Sequence, residues 1–286
     1  MRNHLIAIQG SAASFHDLAA KKYFGEDITI EECETFKSVC EKISGGKVDY
    51  GIIAIENKVA GSILLNYQLI QQYDLRIIGE TFLPIELQLL GKTGTQLHDL
   101  KEIVSHPMAL GQSQQFLSLL QGVTITEYKD TATSAKFVVD EPQNNVGVIA
   151  GPAVGKKYGL DVLINNVCDV QQNFTRFYIL SKGDDYTANP DKASVTLQTY
   201  DSPGKLFDVL GVLKYHHLNL TKIQSIPIPE EQTVYAFHLD IEFDELLLFE
   251  KAMMELSFSV KMIKVLGIYK KQLLQMELSE IPIYKN

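Results

Sequence analysis

Asp169–Leu180 reads DVQQNFTRFYIL. Polar Gln171, Gln172 and Asn173 lead to a hydroxyl and a guanidinium side by side, Thr175 and Arg176, and then into the apolar run Phe177–Leu180. Aromatic and branched residues halted by Ser181-Lys182-Gly183 predict a strand. A polar pair at the mouth of a buried strand is where an α/β protein addresses its ligand. The hydroxyl can donate to a departing oxygen, and the guanidinium can hold a carboxylate through two parallel hydrogen bonds. Read alone, the same letters describe a strand-forming Thr and an Arg capping a sheet end. The rest of the chain has to decide.

Toward the N-terminus, apolar runs alternate with helical spacing. His4–Gln9 predicts a strand, Phe15–Phe24 a helix, Ile28–Ile30 a strand and Thr35–Ser44 a helix. Tyr50–Glu56, YGIIAIE, is the near-continuous apolar run of a parallel strand buried on both faces. It delivers Glu56 and Asn57 to a turn at Gly61-Ser62 and a helix at Ile63–Tyr73. Two strand-like runs flank Pro84, and Leu100–Val104 presents Ser105-His106-Pro107 to a helix over Ala109–Leu120 that carries Gln112. A strand at Thr124–Tyr128, a helix at Ala132–Val139 capped from Asp130-Thr131, a strand at Val146–Ala150 and a helix to Tyr158 follow. This alternation predicts an α/β body with one or two doubly wound parallel sheets. Glu56-Asn57, Ser105-His106 and Thr175-Arg176 all fall at element ends, where one crevice can gather them. The segment GSAASFHD is expected to leave backbone N–H groups open to an anion. It contains neither GxGxxG nor GxxxxGK, which argues against a dinucleotide. Plainer readings stand beside these: Glu56 as a helix cap, and His106 as a packing group with no carboxylate nearby in sequence to orient it.

Beyond the polar connector DDYTANPDK the order changes. Strands at Ala193–Tyr200, Leu220–Ile228, Val234–Ile241 and Val260–Tyr269, with helices at Pro203–His217 and Glu245–Leu256, give βαββαβ. Its edges invite pairing with a second copy. The 286 residues allow two domains, and 26 basic against 35 acidic residues, net −9, would repel phosphate backbones and anionic lipid. Neither nucleic acid nor a membrane is expected as a partner, and a short apolar N-terminal run predicts a cytoplasmic protein. Cys33, Cys40 and Cys168 match neither a zinc nor a redox spacing, so free thiols and no metal are expected.

Taken together, these motifs resemble prephenate dehydratase over the N-terminal two-thirds and the ACT regulatory domain over the remainder, to about Lys271. The resemblance is carried by IEN with the following GS (Ile55–Asn57, Gly61, Ser62), SHPxALxQ (Ser105–Gln112), DTAxxA (Asp130–Ala135), YGL (Tyr158–Leu160) and DxxxNxTRF (Asp169–Phe177). DxPGxL (Asp201–Leu206) and NLTKI (Asn219–Ile223) carry it in the last region. It implies an α/β fold: a bilobal, type II periplasmic-binding-like catalytic domain over residues 1–183, and a ferredoxin-like ACT domain over 193–271 with a tail at 272–286. Lobe 1 would take about 1–79 and 175–183, lobe 2 about 80–174. The implied activity is a carbon–oxygen lyase without cofactor, the decarboxylating dehydration of prephenate to phenylpyruvate in phenylalanine biosynthesis.

Carried over residue by residue, Thr175, Glu56, Asn57, Ser105 and Gln112 are the expected catalytic groups, and Arg176, Phe177, Ser14, Gly61, Ser62 and Thr131 bind substrate. Asp201, Pro203, Gly204, Leu206, Asn219, Leu220, Gln224 and Ser225 would bind an amino-acid effector, L-phenylalanine, in a homodimer or homotetramer. Regular strand alternation would turn Arg176 away from the face of Thr175, leaving it to brace the cleft. The first family motif, GPxG(S/T)(Y/F)S, is altered here at Gly10–His16, the proline before IEN is Ala54, and the ESRP of the regulatory region reads Gln224-Ser225-Ile226-Pro227. Small hydroxyl residues usual after IEN are replaced by Lys58 and Val59. Arogenate dehydration and non-catalytic sensing of an amino acid or carboxylate are the rival readings.

Overall fold

In the computed structural model, which describes residues 3–183, 187–227 and 235–273, the chain first builds a sheet that it completes only much later. Strands β1 (His4–Gln9), β2 (Ile28–Cys33) and β3 (Tyr50–Asn57) alternate with helices α1 (Phe15–Phe24) and α2 (Phe36–Ser44). A two-residue strand β4 (Gly61–Ser62), helix α3 (Leu64–Gln72) and β5 (Arg76–Pro84) follow. The chain then makes the second lobe, from β6 (Gln88–Gly91), β7 (Glu102–Ser105), α4 (Pro107–Gly111), α5 (Gln114–Ser118) and β8 (Thr124–Glu127). That lobe continues through α6 (Thr131–Asp140), β9 (Val146–Ala150), α7 (Pro152–Tyr158) and β10 (Asp161–Ile164). It returns as β11 (Phe174–Ser181), which inserts between β3 and β5 of the first sheet.

Both sheets are mixed, where alternating strands and helices had suggested parallel ones. In the first, ordered β2-β1-β3-β11-β5, β1 runs parallel to β2 and β3 while β11 is antiparallel to both its neighbours. In the second, ordered β10-β6-β9-β7-β8, β6 is antiparallel to β9 and β10. The reason in the first sheet is the path: a chain that leaves it at Pro84 and re-enters beside that point at Phe174 must run antiparallel to the strand it left. The crossing lies at Pro84–Ile85 and Asn173–Phe174, where the Ile85 N–H donates to the Asn173 carbonyl at 2.9 Å. The helix expected over Ala109–Leu120 is broken into α4 and α5, because the Asp169 carboxylate accepts from the N–H groups of Gln114 and Gln115 and starts a new helix there.

The C-terminal domain is βαββαβ: β12 (Lys192–Gln198), α8 (Lys205–Tyr215), β13 (Asn219–Pro227), β14 (Tyr235–Glu242), α9 (Leu246–Ser257) and β15 (Met262–Tyr269). Its antiparallel sheet, β13-β14-β12-β15, buries Val195, Leu197, Leu239 and Ile241 under Val209, Leu213, Phe249 and Leu256 of the two helices. The opposite face lies against the first lobe. There Gly267 of β15 approaches β5 so closely that a β-carbon would stand 1.9 Å from the Ile77 carbonyl oxygen. Connector residues 184–186, the expected strand ends Ile228 and Val234, and tail residues 274–286 lie outside the described residues.

Candidate active site

The site begins with an irregularity in one ladder. On β11, Thr175, Phe177 and Ile179 face one side and Arg176, Tyr178 and Leu180 the other, as a period of two requires; Phe177 and Ile179 pack toward α1, and Tyr178 and Leu180 toward the opposite core. On the partner strand, Arg176 pairs with Glu56 but Phe177 pairs with Ala54, so Ile55 is an extra residue, a β-bulge. Unbroken alternation from Ala54, which faces α1, would put Glu56 on that side and turn Asn57 away. The bulge exchanges them, and Asn57 meets Thr175.

Asn57 is held from every side. Its Oδ1 accepts from the N–H groups of Val59 and Ala60, each at 2.9 Å, and from Gln112 Nε2 at 3.4 Å. Its Nδ2 donates to the Phe174 carbonyl at 3.3 Å and to Thr175 Oγ1 at 3.0 Å. These partners fix which end of the amide is nitrogen. The consequence falls on Thr175: its oxygen already accepts, so its own hydrogen is left to donate. Gln112 comes from the second lobe at the end of α4, and its carbonyl accepts from the Asp169 N–H at 2.7 Å. The structure thus brings Thr175, Asn57 and Gln112 together across the interlobe gap. The lobes also touch through Phe15, which packs on both their cores, through Lys157 Nζ donating to the Ala12 carbonyl at 2.8 Å, and through a Lys129–Glu34 ion pair at 2.6 Å.

Several expected site residues are placed elsewhere. Arg176 is buried on the far face, its guanidinium forked onto Glu80 and Asp240 with Tyr269 Oη at 3.4 Å. Burial works to lower its pKa, but Asp240 above all, with Tyr178, Tyr269 and Glu80, holds it well above the ordinary arginine value. It therefore braces the strand from the face away from Thr175, its guanidinium spent on Glu80 and Asp240. Glu56 is turned by the bulge toward Lys222 of β13, at 2.9 Å, and Lys222 also donates to Ser62 Oγ at 3.0 Å, so neither faces the crevice. Ser105 is fully buried and donates to the Ile149 carbonyl, tying β7 to β9 instead of orienting a ligand. Phe177, 1% exposed, is wall behind the crevice, and Ser14 caps α1 by accepting from the Asp17 N–H. Gly61 (φ 79°) closes the turn paired with Asn57, and Thr131 opens α6 in the second lobe. The expected anion cradle at GSAASFHD is filled from within, because the N–H groups of Ala12 and Ala13 donate to the carboxylates of Glu32 and Asp17, each at 2.7 Å. His106 caps α4, its Nδ1 accepting from the Met108 N–H at 3.1 Å, with a pKa lowered by burial.

His16 was not among the residues singled out, yet it lines this wall. Its Nε2 accepts from the Ala54 N–H at 3.3 Å, beside the bulge, and its ring meets that of Phe177 edge-on with centroids 5.1 Å apart. Burial pushes its pKa down to about 4, so it is a neutral imidazole with its proton on Nδ1. The only signal in the sequence was its place in the altered first motif. In the C-terminal domain, Asp201, Pro203 and Gly204 (φ 82°) form the turn into α8 and Leu206 lies in the first turn of that helix, while Gln224 and Ser225 lie toward the same end of the sheet on β13. Asn219 and Leu220 pair with Glu242 and Ile241, at the opposite end, roughly 15 Å away at 3.3 Å per residue. A single copy does not bring all eight together.

A bilobal α/β body with a hydrogen-donating hydroxyl in the gap between its lobes suits the chemistry of a carbon–oxygen lyase, an enzyme class that expels an oxygen. The sequence model of the prephenate dehydratase family matches residues 6–185, and the chain belongs to that family. It is 32% identical over 272 residues to the bifunctional chorismate mutase/prephenate dehydratase of Aquifex aeolicus, spanning 94% of this chain and 74% of that protein. It is 37% identical over 224 residues to arogenate dehydratase/prephenate dehydratase 1 of Arabidopsis thaliana, spanning 78% of this chain and 57% of that one. The prephenate dehydratase of Arthrobacter aurescens, solved in complex with L-Phe, superposes with a TM-score of 0.83 at 25% identity over 93% of this chain and 90% of that one.

Proposed function

We propose that the crevice converts prephenate to phenylpyruvate, with Thr175 as the donor to the leaving oxygen. The observation that carries this is the Asn57 Nδ2 to Thr175 Oγ1 hydrogen bond, which leaves the threonine proton available to substrate. The prephenate dianion would lose carbon dioxide and hydroxide together, giving the phenylpyruvate monoanion. The C–C electron pair completes the aromatic ring as the C–O pair departs. Aromatisation drives the step, and the protein has to orient the substrate and stabilise the emerging hydroxide. One preorganised donor is worth about 3 kcal/mol, or 10²–10³ in rate. A nucleophile in this position would need a base accepting its proton; Asn57 offers a donor instead.

With Arg176 committed elsewhere, Lys58 is the cation beside this pair, its Nζ donating to the Gln172 carbonyl at 3.2 Å on the lip. It would offset substrate charge. Full-chain enzyme given prephenate should form phenylpyruvate, and Thr175→Ala should lose at least a hundredfold in kcat. Phenylalanine formed from arogenate instead would reverse the substrate, and no turnover of either would leave the sensing alternative.

The C-terminal domain is read as an ACT-type regulatory unit for L-phenylalanine. Because Asn219 and Leu220 lie far from the Asp201–Leu206 turn, an effector touching both sets needs two copies, in a homodimer or homotetramer. Calorimetry with L-phenylalanine, rates with and without it, and light scattering test this together. No heat and no change in rate would remove the effector.

A further inference from the structure

Two rungs of two different sheets face each other in this molecule. On the first lobe, Glu56 and Arg176 are partners across the β3–β11 ladder, one step from the Asn57–Thr175 pair. On the C-terminal domain, Lys222 and Asp240 are partners across the β13–β14 ladder. The four charges match in sign: Glu56 meets Lys222 at 2.9 Å, and Arg176 meets Asp240. Around the second tie, Lys192 contacts Glu80 at 3.0 Å, and Asp240 accepts from Ser194 at 2.6 Å and from Tyr178 at 2.9 Å, so both carboxylates are satisfied.

We propose that Lys222 and Asp240 are positioning residues for the dehydration, holding through Glu56 and Arg176 the rung that presents Asn57 and Thr175. The inference rests on the dehydratase reading and adds to it that a domain outside the crevice helps set its geometry. Successive strand residues share a peptide plane, so a displacement of Arg176 or Glu56 is a displacement of the reacting pair. A donor misplaced by about 1 Å can cost as much as 10² in rate. Buried ion pairs are poor sources of stability compared with apolar packing of the same volume, whereas their geometry is directional. Position is what these four charges supply.

The test separates position from stability. Lys222→Met cuts one tie and leaves Glu56 partly solvated, so the fold survives; Lys222→Arg keeps the tie. Lys192→Met with Asp240→Leu removes one buried cation and one buried anion together, leaving Arg176 on Glu80. In the full chain with prephenate, Lys222→Met and the double variant are expected to lose about tenfold in kcat at a melting temperature within a few degrees of the parent, with Lys222→Arg restoring the rate. Should the double variant not fold, the two Lys222 variants decide. Values of kcat within twofold of the parent for both cut variants, or for Lys222→Met where only it folds, overturn the proposal. A parent that turns over neither prephenate nor arogenate sinks the dehydratase reading, and this one with it.

Discussion

At the scale of single residues, Asn57 decides what Thr175 can do. An aspartate there would accept the threonine proton and set a second negative charge beside a dianion. Asn57→Asp is therefore expected to lower kcat at least a hundredfold with little change in melting temperature, measured by phenylpyruvate formation and a thermal scan. His16 gives a prediction with a sign. Its folded pKa of about 4 lies below the ordinary 6.5, so between those values the unfolded chain binds the extra proton. The contribution is whole above pH 6.5 and drains as pH falls toward 4, by an amount on the order of 2–3 kcal/mol. Glutamine cannot titrate and can still accept from Ala54. Urea midpoints recorded across that window should fall less for His16→Gln than for the parent; parallel curves would contradict the assignment.

At the scale of elements, the decisive features are a bulge and a broken helix. Sequence showed the alternation of strands and helices, the βαββαβ order and the placing of Asn57 and Thr175 at element ends, because apolar periodicity is written in the letters, whereas Gln112 joined them only through the family resemblance. Sequence also anticipated that strict alternation would turn Arg176 away. What it did not show is that Ile55 is an unpaired extra residue, since a run such as YGIIAIEN carries no mark of which residue the partner strand skips. Glu56 and Asn57 therefore looked equivalent, and only the long-range pairing sends one to the crevice and the other to Lys222. The break between α4 and α5 was hidden for a similar reason, because the capping carboxylate, Asp169, lies 55 residues away from Gln114. Asp169→Ala should cost about 1 kcal/mol of stability for the lost cap, and should raise KM several-fold as Gln112 loosens. Steady-state kinetics and urea unfolding check both.

At the scale of the molecule, the buried seam between the first lobe and the C-terminal domain carries charge that only its own partners neutralise. Glu80 is 0% exposed and faces both Arg176 and Lys192. Glu80→Gln leaves Arg176 on Asp240 but Lys192 with only the more distant Glu242, at 3.9 Å, and should destabilise the chain by about 3–5 kcal/mol in urea or thermal unfolding. Asp240 adds a pH dependence of known direction. Burial opposes its charge, but Arg176, with His238 and Lys192, holds its pKa well below the ordinary aspartate range. Stability from this group is complete above about pH 4 and is lost only as acid carries the solution down through the lowered value.

The close approach of Gly267 to the Ile77 carbonyl bears on anyone who would build hybrids of this enzyme. A terminal unit grafted from a relative would need no side chain at that position, or the two halves could not seat. The same graft would have to bring its own aspartate and lysine to meet Arg176 and Glu56. The halves are thus interchangeable only as matched sets, and a mosaic that violates the match should be recovered as insoluble material before any assay of its chemistry.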